Sequence, residues 1–252
     1  NRPDAAGSSS TQRPRVEWDM GVSYPQALEM ALHGGDWAEG ARDLQSVSID
    51  RAAQSMAQVI EPAIVQDVTG GGLDIGEYLA DSPECFFRLE DAEHSRPIVK
   101  IGVCTVPCGN IEAHQMMNHG RAIIALVEAL ELQQYSVELV SMFVSRESKN
   151  VYREETTIKQ AGEPWAASTV AFALAHPAFT RRLGFRALES DPDCWEHSQT
   201  GYGDGRIKRP EGYDIFFPYI VQPDAYETPA QAMAKVKQVL EEQQPQLLTG
   251  GV

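Results

Sequence analysis

Residues 97–145 constrain the fold more than any other stretch of the chain. PIVKIGVCTV (97–106) is an apolar run of strand length. A helical pattern follows from Ile111 to Gln133, with Met116, Ile123, Val127 and Leu130 on one face and Met117 and Ile124 beside them. SVELVSMFVS (136–145) is apolar again. A chain that leaves one buried strand, crosses by an amphipathic helix and enters a second buried strand makes a parallel pair with the helix on its face.

The sequence around this unit continues the rhythm. CFFRLED (85–91) reads as a strand, and NVYREETTIK (150–159) alternates like a half-exposed or edge strand. Helices are predicted from about Trp165 to His176 and, with Pro177 in the first turn, on to about Ala187. YDIFFPYIV (213–221) reads as another buried strand despite Pro218. Thr228 and Pro229 then open a last helix over 228–244. We therefore expect an α/β fold in three layers with a mostly parallel central sheet, its centre formed by 97–106, 136–145 and 213–221.

The first third differs. Ser23 caps and Pro25 starts a helix whose stripe is Ala27, Leu28, Ala31 and Leu32, ending at Gly34-Gly35. A second helix is expected over 49–60, stopped by Pro62, before the Gly70-Gly71-Gly72 punctuation. The expected organisation is a flexible tail over 1–15, a helical subdomain over 16–72 and an α/β domain over 73–246.

Composition narrows the function classes. The 36 acidic residues outnumber 21 Lys and Arg, for a formal charge of -15. That charge opposes nonspecific adhesion to nucleic acid or anionic membrane, although a local basic face can outvote the total. No apolar run approaches the roughly 20 residues of a membrane helix, so no membrane partner is expected. Cys85 and Cys104 sit in strand-like apolar runs, and only Cys108 and Cys194 accompany them. Such sparse cysteines suit a reducing compartment, with the cytoplasm as the expected location.

The segment IGVCTVPCGNIEAHQMMNHG (101–120) draws the eye as C-x3-C-x5-H-x4-H. Its Cys and His spacings fall inside those of structural zinc sites, but only five residues separate Cys108 from His114. His114 and His119, five apart on a helix, point about 140° away from each other. Neither a metal nor any other cofactor is expected. A nucleophile would be Cys108, at the carboxyl end of a buried strand, with His114 as its base. The plainer reading is stronger: a core cysteine, a loop cysteine and two polar helix positions. The acidic group Asp191, Asp193, Glu196 and His197 reads as a solvated loop, and Gly201–Arg206 lacks the strand-to-helix context of a phosphate loop.

One basic group merits weight. Arg181, Arg182 and Arg186 share a predicted helix, while Arg206, Lys208 and Arg209 sit in a long loop over 191–212 with Trp195 and Tyr202. Cations that track a backbone, with aromatics to stack bases, are what single-stranded nucleic acid requires. The alternative is surface arginines paired with the abundant carboxylates.

Two resemblances follow from named motifs. Ser23-x3-Ala27-Leu28 to Gly35-x-Trp37-x-Glu39-Gly40-Ala41, Asp74-Ile75-Gly76-x-Tyr78-Leu79-x3-Pro83-Glu84-Cys85-Phe86, and Gly120-Arg121-Ala122 to Ala129-Leu130 together resemble a family of bacteriophage and prophage proteins of unknown function. The resemblance covers about residues 22–145 and implies a viral protein made inside a bacterial cell; it carries over no catalytic residue. Residues 97–145 also resemble the first strand and helix of von Willebrand A-like domains, with a Rossmann-like winding as the alternative. In those domains the strand ends in D-x-S-x-S and holds magnesium; here the run is Cys104-Thr105-Val106-Pro107-Cys108, which lacks all three ligands. The expectation is a binding or adaptor protein with a protein partner, rather than an enzyme. The alternatives are a single-stranded nucleic-acid factor that recruits replication or transcription machinery, a cysteine- or metal-dependent hydrolase, and a virion structural protein.

Overall fold

The computed structural model describes residues 10–33, 63–69, 72–80, 82–90, 96–147, 150–164, 167–191 and 205–244. The chain divides into two compact units, residues 52–96 and the remainder. Of the described residues, 16–33 group with the α/β sheet and 63–72 with the smaller unit. The helix expected over 49–60 and Trp37 of the first motif lie outside the described residues.

The larger unit opens with α1 (Val16–Asp19) and α2 (Tyr24–His33). In the smaller unit, β1 (Ala63–Asp67), β2 (Gly72–Leu73), the short helix α3 (Ile75–Leu79) and β3 (Phe86–Glu90) follow. Its strands run antiparallel in the order β1-β3-β2. Asp74 caps α3 by accepting hydrogen bonds from the Gly76 and Glu77 amides at 2.9 and 3.2 Å.

Back in the larger unit come β4 (Ile98–Cys104), α4 (Ala113–Leu132), β5 (Ser136–Glu147) and β6 (Asn150–Lys159). They are followed by α5 (Ala167–Ala175), a π-helical turn (Phe179–Gly184) that runs into α6 (Phe185–Ser190), β7 (Ile215–Phe217) and α7 (Pro229–Gln243). The sheet order is β6-β5-β4-β7. β4 is parallel to both β5 and β7, whereas β6 is antiparallel to β5. The sheet is therefore mixed: the crossover through α4 makes the β4–β5 pair parallel, and the tight β5–β6 connection permits only an antiparallel hairpin.

Alternation along β4 sorts the two faces. Val99, Ile101 and Val103 join the main core with Ile123, Val127 and Leu130 of α4, Val170 and Leu174 of α5, and Val236, Val239 and Leu240 of α7. The helices approach closely where α4 carries Gly120, since a Cβ there would lie 2.5 Å from the Ala175 Cβ and 2.6 Å from its Cα. On the opposite face Gly102 leaves room for Tyr213, whose ring would lie 2.9 Å from an added Cβ. Tyr213 donates its hydroxyl to Glu155 at 2.9 Å, and the Lys100 ammonium stands 5.1 Å over its ring while pairing with Glu138 at 2.6 Å.

β7 corrects an expectation. Residues 213–221 were expected at the sheet's centre, yet the strand is confined to Ile215–Phe217 and occupies the edge. Proline 218 ends the strand because it has no amide to donate. The open edge is closed by a side chain: Gln243 Oε1 accepts from the Phe216 amide and Gln243 Nε2 donates to the Phe216 carbonyl, both at 2.8 Å. One glutamine thus stands in for a neighbouring strand. Among the described residues no helix is long and apolar enough to cross a membrane.

Candidate functional site

In an open α/β sheet, ligands gather outside the carboxyl ends of the strands where the strand order changes direction. Here that point is the end of β4, with β5 on one side and β7 on the other. The chain leaves β4 at Cys104, and Pro107 makes a parallel bridge with Ile220. The Cys108 amide then donates to the Ile220 carbonyl at 2.9 Å. Gln115 accepts from the Glu112 amide at 2.9 Å, which fixes the start of α4. A cleft of about 240 Å³ opens beside this loop, walled by Gly109, Asn110, Ile111 and Glu112 on one side and Arg15, Glu17 and Trp18 on the other.

The histidines of α4 diverge, as their spacing requires. His114 is half exposed, with its Nδ1 3.3 Å from Glu112 and its Nε2 3.3 Å from Glu227. Gln115 also donates to Glu227, at 2.8 Å. The Glu227 carboxyl is accordingly held below the ordinary carboxylate range, first by Gln115 and then by His114. His119 instead lies in the core, edge-on to Tyr226 at 5.1 Å and Phe217 at 6.3 Å, and burial pushes its pKa down to about 4. Asn118 donates to the Tyr226 and Glu227 carbonyls at 2.9 and 3.1 Å. The first turns of α4 thus tie down the loop after β7.

The cysteines also separate. Cys104 is buried, its thiol 3.8 Å from the Gly205 carbonyl, whereas Cys108 is half-buried against the main core. His114, the base proposed for Cys108, has both ring nitrogens engaged by carboxylates. Among the described residues no three His, Cys, Asp or Glu side chains are arranged to hold a metal ion. Cys194 and the Asp193, Glu196, His197 group lie outside the described residues.

The basic group comes apart. Arg181 and Arg182, expected at the surface, are each only 1% exposed. Arg182 donates through Nε to the Val22 carbonyl at 3.0 Å and through Nη1 to the Ser10 and Gln12 carbonyls at 3.0 and 2.9 Å; its Nη2 pairs with the buried Asp19 carboxylate. Arg181 donates to the Trp18 carbonyl and, at 2.7 Å, to the Ile111 carbonyl. Its guanidinium lies 3.7 Å over the Trp18 ring. Burial lowers the Arg181 pKa to about 10, against the pull of Asp19, so the group stays charged at neutral pH. The physical reason for the correction is that the π-helical turn faces residues 10–22 rather than water. Within the tail expected over 1–15, Ser10 is buried and donates its amide to Glu189 at 3.3 Å and its hydroxyl to the other oxygen of that carboxylate, while Thr11, Gln12 and Arg13 stay exposed.

The remaining members scatter. Arg186 is half-buried, 6.0 Å over the Tyr24 ring. Arg206, Lys208 and Arg209 are exposed on the segment that begins at Gly205, and Arg209 donates to the Asp214 carbonyl at 3.1 Å. Trp195 and Tyr202 lie outside the described residues. Sequence reasoning missed Asp19 as the partner of Arg182. A signal was present: two adjacent arginines interrupt the otherwise apolar AFALAHPAFTRRLGF, where a charge is tolerated only with a partner.

A family model described as a domain of unknown function (DUF7192) matches residues 2–245. No curated protein and no solved structure matches the chain.

Proposed function

The chain belongs to the DUF7192 family, and we propose that it works as a non-enzymatic binding or adaptor protein within a larger macromolecular assembly. One observation carries the proposal. In the smaller unit Val68, Leu73, Ile75, Tyr78 and Leu79 are all between 43% and 79% exposed, although they fall within one short stretch. Large apolar side chains concentrated at a surface favour a protein partner that removes them from water. Asp67, Asp74, Glu77 and Glu84 flank them in sequence, which selects for a basic rim on that partner.

The resemblance to phage proteins supplies the rest of the proposal, a phage-encoded factor that acts in the cytoplasm of a bacterial cell. The test is affinity capture with the tagged full chain from infected cells, with and without nuclease, beside an Ile75→Asp/Leu79→Asp variant. A partner that survives nuclease and is lost with the variant supports the reading. A partner equally retained by the variant overturns the role of this surface.

Contact with single-stranded nucleic acid is a second reading, supported by the exposed Arg206, Lys208 and Arg209. Binding that weakens steeply with salt and is reduced by alanine at those three positions would favour it.

A further inference from the structure

We infer that residues 10–22 are a releasable strap lying in a peptide-binding socket, and that the socket accepts, from a protein partner, a segment bearing an aromatic residue followed by a carboxylate. The occupant now in place shows what the socket recognises. Arg182 reads three main-chain carbonyls and one carboxylate, and Arg181 reads a fourth carbonyl while stacking on the indole of Trp18. Main-chain carbonyls are common to every peptide, so the side-chain requirement reduces to Trp18, Asp19 and the Ser10 hydroxyl that donates to Glu189.

The way the strap is held favours exchange over permanence. Its fully buried members, Ser10 and Asp19, are polar, while Val16 is 72% exposed. The apolar area that release would return to water is that of Trp18 and Val22, which rest half-buried against the edges of the core. With the strap released the two adjacent guanidiniums meet water, and any anionic segment of the same chemistry can take the strap's place. The exit is also poised to open. Met20 holds a left-handed φ of 57° and Gly21 a φ of 75°, and the turn is kept by Asp19 Oδ1, which accepts from the Arg15 and Gly21 amides at 2.9 and 3.0 Å. An L side chain is strained in that conformation, and release relieves it.

The strap also walls the cleft at the head of α4 through Arg15, Glu17 and Trp18. Displacing it would uncover the loop after β4. A competing peptide thus has a structural consequence at the switch point of the sheet.

The partner's identity rests on the protein-binding reading above, but the socket itself is tested on the purified chain. A failure here leaves the smaller unit's surface untouched. The probe is a fluorescent peptide of residues 10–23, STQRPRVEWDMGVS, titrated into the full chain carrying Trp18→Ala/Asp19→Ala. Binding by this variant is expected, lost when the peptide bears the same two substitutions. The wild-type chain should bind ~10-fold more weakly or worse, because its own strap competes at high effective concentration. A variant that keeps its circular dichroism and thermal transition yet ignores the peptide overturns the inference, as does equal binding of the substituted peptide. Native-state hydrogen exchange on the wild-type chain decides the matter if the variant does not fold. The amides of Asp19, Met20 and Val22, bonded within the strap at 2.9 to 3.2 Å, should exchange through an opening that leaves β4 protected. Exchange of those amides only together with the sheet would sink the proposal.

Discussion

Two seams hold the helical side of the larger unit together, and they are made of opposite materials. Where α4 meets α5 the contact is apolar and close, with Gly120 against the backbone of Ala175 and Ile123, Val127, Val170 and Leu174 in the same core. Where residues 10–22 meet the π-helical turn the contact is polar: two arginines, Asp19, Glu189 and a row of carbonyls. The apolar seam gains free energy in proportion to area and has no other state to adopt. The polar seam exchanges hydrogen bonds to water for hydrogen bonds to protein, so its net gain is small even though breaking one partner is costly. One seam defines the domain, and the other can open without dissolving it.

The sharpest way to break this contrast is at Gly120. A Gly120→Val substitution drives carbons into the Ala175 backbone, which cannot turn aside as a flexible side chain would. Overpacking of this kind costs about 3 kcal/mol or more. Denaturant unfolding should show the whole larger unit losing stability as one transition. A shift below about 1 kcal/mol would mean that the helices separate easily and that the seam is not what defines the unit.

The second test moves to the polar seam. Asp19→Asn removes the carboxylate from Arg182 and keeps the shape. Where a buried charge loses its partner in a rigid setting the loss is about 3–5 kcal/mol. The expected outcome is a smaller loss, capped by the strap's own opening and confined to residues 10–22 in hydrogen exchange, with β4 and β5 little changed, because an opened strap lets Arg182 reach water. Replacing both members, Asp19→Leu with Arg182→Met, should recover most of the loss. A uniform loss across the sheet would erase the distinction between the seams.

What was legible beforehand follows the same division. The strands at 98–104 and 136–147, the helix between them and the edge strand at 150–159 were readable because their apolar spacing records burial directly. β7 was readable as buried but not as an edge, since the residue that closes it, Gln243, lies in another element. The arginine pair misled for a related reason. Charge in a sequence does not say which side of it faces water, and the deciding partner, Asp19, is 163 positions away. The divergence of His114 and His119 could be read from helical geometry; that His114 would find Glu227 could not. A polar contact between distant segments leaves no periodic trace, whereas an apolar face does.

The core beside the apolar seam also hides two titratable groups, which give a third test. His119 and His176 are both held near a pKa of about 4 by burial, against 6.5 in an exposed chain. The unfolded chain therefore takes up protons first as pH falls. The stability that these neutral histidines support is complete above pH 6.5, declines through the window from 6.5 to about 4, and levels off below it. Each contributes a slope of about 1.4 kcal/mol per pH unit there, or about 3 kcal/mol across the window. In His119→Phe, which keeps a ring beside Phe217 and Tyr226, the acid loss of thermal stability should fall by about half. Identical pH profiles for variant and wild type would show that His119 is hydrated rather than sealed beside Phe217 and Tyr226.

The smallest expected effect lies where the two kinds of contact meet, at the edge of β7. Gln243 ends α7 one turn beyond the buried Val239 and Leu240, and its amide satisfies the Phe216 amide and carbonyl that a further strand would have taken. In Gln243→Ala both groups turn to water, at a cost of about 1–2 kcal/mol for two ordinary hydrogen bonds. Gln243→Glu keeps the acceptor and loses the donor, so the Phe216 carbonyl would face a carboxylate oxygen. That variant should be at least as destabilised near neutral pH and should regain stability as the carboxyl is protonated. The alanine variant carries a second consequence, because an uncovered edge is a template for pairing with another chain. Sedimentation at rising concentration should show association in Gln243→Ala that the wild type lacks. If the variant is destabilised but stays unassociated, Pro218 alone is enough to protect the edge, and the glutamine serves stability rather than separation of chains.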